Sequence, residues 1–214
     1  MISMSSKAPS KLAVLAAAAL TVLVTAVASP AKAADDAAVT VVGQTTSSVI
    51  AVLTNQKLST EEKRKQVEDV VLERVDFETL SKLVLARNWT RFTDPQRDEF
   101  MALFKNHLSM TYGRNVESYK NEKVQITGSR PETGGDATVK TKIVRGGGGN
   151  DILVDYRLRQ RDGTWKIIDV VIEGVSLVSN FRSQFQDVVA SGGPERLLAL
   201  LREKNAKGEP LKTS

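Results

Sequence analysis

The chain has 214 residues, with 30 Lys+Arg against 25 Asp+Glu, one histidine and no cysteine. That length fits a single domain with at most an appendage, and 41% apolar with 26% charged residues is too apolar for a disordered chain. The lack of cysteine excludes disulfides, thiolate metal sites and a thiol nucleophile.

The first 33 residues read as a secretory signal. Lys7 and Lys11 form a small basic region. Leu12 to Ala28 is an uncharged run of 17 residues, and Ala31-Lys32-Ala33 offers an A-x-A site with cleavage after Ala33. The run sits at the bottom of the length range for a bilayer span, and its alanines lower its hydrophobicity. A retained membrane anchor is the alternative. Removing residues 1–33 removes three lysines and no acid, leaving 27 basic against 25 acidic residues, a net charge of about +2. Much of the basicity therefore belongs to the targeting segment, and no nucleic-acid partner is expected. Residues 34–214 are then one exported domain with a frayed C-terminal tail.

Within that domain, Val39 to Leu53 reads as an entering helix. Ser59-Thr60-Glu61-Glu62 is a capping box, in which a Ser hydroxyl accepts the amide of Glu62 while that carboxylate reaches back. It opens a helix with Val67, Val70, Val71 and Val75 on one stripe. Asp76 is placed to cap a short helix through Phe77, Leu80, Leu83 and Val84. Thr93-Asp94-Pro95-Gln96 is a second capping box, with proline in the first turn. Its helix carries Phe100, Leu103, Phe104, Leu108 and Tyr112, and Gly113 is placed to end it.

The period then changes to two. Val124 and Ile126, then Val139, Thr141 and Ile143, alternate with polar residues, as do Ile152, Val154, Tyr156 and Leu158 with Leu153, Asp155, Arg157 and Arg159. Trp165 to Ile172 is a continuous β-prone run. Thr133-Gly134-Gly135-Asp136, the Gly146–Asn150 segment and Asp162-Gly163 are turn signals between these runs. Four runs with short turns make an antiparallel meander that needs helices over one face. A helical stripe returns with Leu177, Val178, Phe181, Phe185 and Val188. Gly192-Gly193-Pro194 breaks it, and a last helix carries Leu197, Leu198 and Leu201. The expected fold is α+β: a twisted antiparallel sheet of four strands, or slightly more, covered by several helices. The pattern leaves a solid core and a hollow one equally open.

Sites for chemistry are few. There is no zinc-protease, nucleophile-elbow, P-loop or EF-hand motif. The four glycines 146–149 precede a strand rather than a helix, so they read as a hairpin tip and not a phosphate cradle. His107 is the only histidine and cannot alone build a multi-His metal site; a structural or surface role is expected. Asp169 interrupts an apolar run and Glu173 closes it. An unpaired buried carboxylate is expensive, so either could be an isomerase-like base; a carboxylate on the outer face, or one accepting backbone or Arg hydrogen bonds, is the simpler reading. Asn88-Trp89-Thr90 fits the N-glycosylation pattern. The aromatics follow helix and strand periods, with no base-stacking arrangement.

The order of segments resembles a known family. Val84-Leu85-Ala86-Arg87-Asn88-Trp89, then Thr93 to Phe100, then Phe104 to Gly113 resemble the MlaC family of periplasmic phospholipid-binding proteins, also called toluene-tolerance proteins. Gly163 to Leu177 (GTWKIIDVVIEGVSL) is the stronger match, followed by Asn180-Phe181-Arg182-Ser183-Gln184-Phe185. The likeness covers roughly Val39 to Asn205, with Gly146 to Gly149 unusual for a family hairpin. It implies a non-enzymatic, monomeric periplasmic carrier with no cofactor and no metal, holding a phospholipid as cargo in an apolar cavity between sheet and helices. The implied partners are an outer-membrane lipoprotein–porin complex and an inner-membrane ABC transporter with an MCE-domain subunit, in maintenance of outer-membrane asymmetry. A hopanoid-associated carrier of the same family is one alternative, and a solid-cored protein-interaction module another.

Under the carrier reading, the cavity lining comes from the apolar stripes. The expected helical contacts are Phe77, Leu80, Val84, Phe100, Phe104, Leu108 and Tyr112. From the strands come Val139, Ile143, Val154, Tyr156, Trp165, Ile167 and Val171. Val175, Leu177 and Phe181 follow the last strand.

Overall fold

The structure is a computed structural model and describes residues 30–113, 119–145 and 149–211, with side chains from Asp36 onward. Most of the signal segment, through residue 29, and Gly146 to Gly148 of the glycine run lie outside the described residues.

Helix α1 (Pro30–Thr54) begins earlier than the apolar pattern suggests and includes Ala31-Lys32-Ala33. It is the one helix among the described residues long and apolar enough to span a bilayer. Here it packs along the sheet instead, with Ala38, Val42 and Thr45 buried on one face. Helix α2 (Thr60–Arg74) starts at the predicted capping box. Ser59 Oγ accepts from Glu62 N at 3.3 Å, and Ser59 N donates to Glu62 Oε2 at 2.8 Å. Asp76 caps α3 (Phe77–Leu85) by accepting from Thr79 N at 2.9 Å. At α4 (Asp94–Gly113) Thr93 N donates to Gln96 Oε1 at 3.0 Å, the return half of its capping box.

Strands β1 (Lys123–Pro131), β2 (Asp136–Val144), β3 (Ile152–Arg161) and β4 (Thr164–Ile172) form the expected antiparallel meander. A fifth strand, β5 (Val175–Ser176), completes the order β1-β2-β3-β4-β5. It follows a tight Glu173-Gly174 turn with both residues at positive φ, 49° and 81°, the geometry of a two-residue hairpin loop. A bulge interrupts β3–β4: Arg157 pairs with Asp169 and Leu158 with Ile167, leaving Ile168 as the extra residue.

Helix α5 (Leu177–Lys207) is broken at Gly192 and Gly193, where Gly193 takes φ 71° and ψ −172°. The break turns Leu197, Leu198 and Leu201 back into the core, where all three are fully buried.

The described residues form two apolar clusters. The first joins α3, α4 and α5 around Phe100, Phe104, Phe181 and Phe185. The second lies between α1 and the sheet, with Val42, Val139, Leu158 and Trp165.

Candidate functional site

Between the two clusters lies an apolar cavity of about 450 Å³. Sealed and dry, a void of that size would cost on the order of 10 kcal/mol at about 24 cal/mol per Å³, as much as the stability of an entire domain. It is not loose packing. The core is hollow, and the volume lies within the roughly 300–1,000 Å³ of small-ligand sites.

The sheet supplies one wall. Residues paired across strands share a face, and Tyr156↔Val170 and Val154↔Ile172 both line the cavity, with Ile143 of β2 beside them. Ile167 and the bulged Ile168 continue this wall. The opposite wall is helical. Phe77, Leu80 and Val84 come from α3, and Phe104, Leu108 and Tyr112 from successive turns of α4. Leu177, Val178 and Phe181 come from the start of α5. Phe104 and Phe181 are edge-on at 5.1 Å between centroids, and Phe104 stacks on Phe100 at 5.5 Å. Edge-to-face and offset contacts of this kind make a stiff wall.

The remaining side is formed by α2 with the end of α1. Val67, Val71 and Leu72 of α2, Val75 beyond it, and Val49 and Leu53 of α1 line the cavity. These residues were not expected there. The signal was present in the Val67–Val71–Val75 stripe: α2 has no fully buried residue, and Val71 is 37% exposed. An apolar stripe that stays open faces a space, not a packed partner.

Five of the expected lining residues lie elsewhere. Phe100 is sealed in the aromatic cluster against Phe92, Phe104 and Phe185. Val139 and Trp165 share the inner face, but α1 covers them with Ala38 and Val42, so that end of the sheet is solid core. Val171 is turned from the cavity by the β4 bulge: Ile167 faces inward, and after one extra residue the inward positions become Val170 and Ile172. Val175 is 55% exposed on β5.

The polar lining residues of α2 and α4 lie together: Ser109 Oγ donates to Glu68 Oε1 at 2.8 Å, and the Arg64 side chain lies over Gly113, which follows Tyr112. Arg64 is partly exposed, so this polar group forms a solvent-facing mouth. Val75, Phe77, Phe104 and Ile167 elsewhere in the lining are apolar. Tyr112 and Tyr156 both have phenol pKa values raised by burial.

The carboxylates considered as bases are otherwise engaged. Asp169 borders the cavity, yet its Oδ2 accepts from Ser176 Oγ at 2.6 Å and its Oδ1 from Val178 N at 3.0 Å, capping α5. Glu173 accepts from the backbone N of Leu153. His107 is fully buried away from the cavity, between Asn205 and the backbone of Leu211. Burial pushes its pKa down. No cluster of three or more metal-ligating side chains occurs among the described residues. Asn88 is buried and holds Arg91 through its side chain at 3.2 Å, which leaves it badly placed to carry a glycan.

This fold is shared with a solved protein. A phospholipid-binding protein from Ralstonia solanacearum, in complex with a phospholipid, superposes with a TM-score of 0.70 at 24% identity, covering 79% of this chain and 97% of that one. In sequence, the chain is 29% identical over 120 residues to toluene tolerance protein ttg2D of Pseudomonas putida, covering 56% of this chain and about half (55%) of that relative. It is 24% identical over 144 residues to the intermembrane phospholipid transport system binding protein MlaC of Haemophilus influenzae, covering 65% of this chain and 67% of the other. The family model described as MlaC protein matches residues 43–203, which takes in every element from the middle of α1 to the end of α5's apolar stripe, and the chain belongs to the MlaC family.

Proposed function

We propose that this protein is a soluble periplasmic lipid carrier that takes the acyl chains of a phospholipid into the cavity between sheet and helices. The observation that carries the reading is the cavity itself: about 450 Å³, with a lining that is mostly apolar. Two acyl chains hold about thirty methylenes, each worth roughly 0.8 kcal/mol when removed from water, so leaving a bilayer unaided costs on the order of 20–25 kcal/mol. A carrier lowers that cost by replacing the bilayer's apolar contact, which requires a dry cavity more than a strong headgroup grip.

The phospholipid in the Ralstonia solanacearum relative and the transport role in the name of the Haemophilus influenzae relative support the same reading. Signal cleavage after Ala33 would release the domain into the periplasm. There it would pass lipid between an outer-membrane lipoprotein–porin complex and an inner-membrane ABC transporter with an MCE-domain subunit. This reading involves no catalytic step, and the engagement of Asp169 and Glu173 in hydrogen bonds from backbone amides supports it.

The test is mass spectrometry of the purified protein, native and after organic extraction. Stoichiometric phospholipid is expected. A folded protein that stays free of lipid after incubation with liposomes would overturn the reading.

A further inference from the structure

The cavity mouth carries two opposite charges, Arg64 and Glu68, that form no salt bridge with each other among the described residues. Among the described residues, Arg64 is the only Lys or Arg lining the cavity, and Glu68 and Asp169 are the only carboxylates. Asp169 is committed to the start of α5. Arg64 and Glu68 lie one turn apart on α2, the spacing at which opposite charges usually pair. The neighbouring Lys65 and Asp69 do pair, at 2.8 Å. Among the described residues Arg64 instead has only a loose 3.7 Å contact to the exposed Glu61, and its side chain is 41% exposed. Its stem crosses α4 over Gly113, where even a Cβ would come within 3.8 Å of it. Glu68 is held by Ser109 and makes no salt bridge among the described residues. A carboxylate with one neutral donor keeps further acceptor positions free.

Resting on the carrier reading, we propose that this mouth selects a zwitterionic lipid headgroup, with Arg64 receiving the phosphate and Glu68 an ammonium. Residues at this spacing have Cβ atoms about 5–6 Å apart, so both side chains can reach one headgroup whose phosphate and amine are joined by a two-carbon linker. Tyr112, one turn along α4 from Ser109, has no hydrogen-bond partner among the described residues and lines the same cavity, where its hydroxyl is available as a second donor to phosphate. An anionic headgroup would satisfy Arg64 but meet the Glu68 carboxylate. A neutral diacylglycerol would leave both charges unanswered.

The test loads the purified protein from vesicles holding equal phosphatidylethanolamine and phosphatidylglycerol with a minor share of diacylglycerol, all of one chain composition. The bound lipids are then extracted and quantified by mass spectrometry. The wild type is expected to hold phosphatidylethanolamine over phosphatidylglycerol by about fivefold, the size of one half-exposed ionic contact. Glu68→Gln should bring that ratio to near unity and Glu68→Asp should keep it. Arg64→Gln should lower both phospholipids relative to diacylglycerol. Bound lipid that mirrors the vesicle in the wild type, or a ratio unmoved by Glu68→Gln, overturns this assignment and leaves the carrier standing. No bound lipid of any class overturns both.

Discussion

Ser176 and Asp169 close the start of α5 together: Ser176 Oγ donates to Asp169 Oδ2 at 2.6 Å and also accepts from Ser179 N at 3.0 Å. With Val178 N donating to Asp169 Oδ1, two of the helix's free amides are met by one carboxylate and one hydroxyl. Asp169 thus anchors the helix that carries Val178 and Phe181 into the cavity wall. Asp169→Ala is expected to cost about 1–2 kcal/mol, the size of a lost cap, read as a lower urea midpoint. Bound lipid should persist below the transition. Were Asp169 a catalytic base, the stability would hold and an activity would vanish.

Hollow and solid parts of the core should respond oppositely to substitution. Val71 faces the cavity and is already 37% exposed, so Val71→Asp is expected to keep the unfolding midpoint within about 1 kcal/mol. It should nonetheless abolish co-purified lipid by placing a charge on the apolar wall. Phe100 is fully buried in the aromatic cluster, so Phe100→Ala should cost about 3–5 kcal/mol. Parallel chemical denaturation and lipid extraction on the two variants check both halves.

Local patterns made most of the fold legible. The Ser59–Glu62 and Asp76–Thr79 caps, the four long strands and the Gly192-Gly193 break each follow from a few adjacent residues. What escaped depends on contacts between distant segments. Alternation places Ile167 and Val171 on one face, and only pairing with β3 creates the bulge at Ile168 that turns Val171 away. Val139 and Trp165 have the periodicity of lining residues, and it is α1 crossing over them that makes that end solid. The two-residue β5 was too short for any periodic signal, although Glu173-Gly174 has the chemistry of its turn.

The break in α5 supplies a backbone test. Gly193 combines φ 71° with ψ −172°, a region essentially restricted to glycine. A Cβ there would meet no neighbour within 4 Å, so any penalty in Gly193→Ala is conformational. We expect about 1–3 kcal/mol of destabilisation. The Leu197–Leu201 segment, which depends on this turn to reach the core, should lose amide-exchange protection first. An unchanged midpoint would mean that the two halves of α5 can run straight on.

Acid should weaken the fold through His107 before it reaches the carboxylates. Leu211 N donates to His107 Nε2 at 3.2 Å, so Nδ1 carries the hydrogen toward Asn205 Oδ1, 3.0 Å away. Burial first, with the nearby Lys204 charge adding and the Asn205 hydrogen bond opposing, holds the imidazole below its ordinary value of 6.5. The unfolded chain therefore takes up this proton before the folded one does. Stability from this residue is full above about pH 6.5 and falls as the pH drops from there through the folded value, by at most about 1.4 kcal/mol per unit. Asp136 behaves differently. Burial would raise its carboxyl, but the Arg159 hydrogen bond and charge, with Arg157, outweigh it and leave the net shift downward. Its stabilising contribution is present above the ordinary 3.8 and is lost only as the pH falls below that. Urea midpoints measured between pH 7.5 and 5 (a window bracketing the ordinary imidazole value) should fall for the wild type. They should stay level for His107→Gln, which can neither charge nor force Leu211 to give up its acceptor.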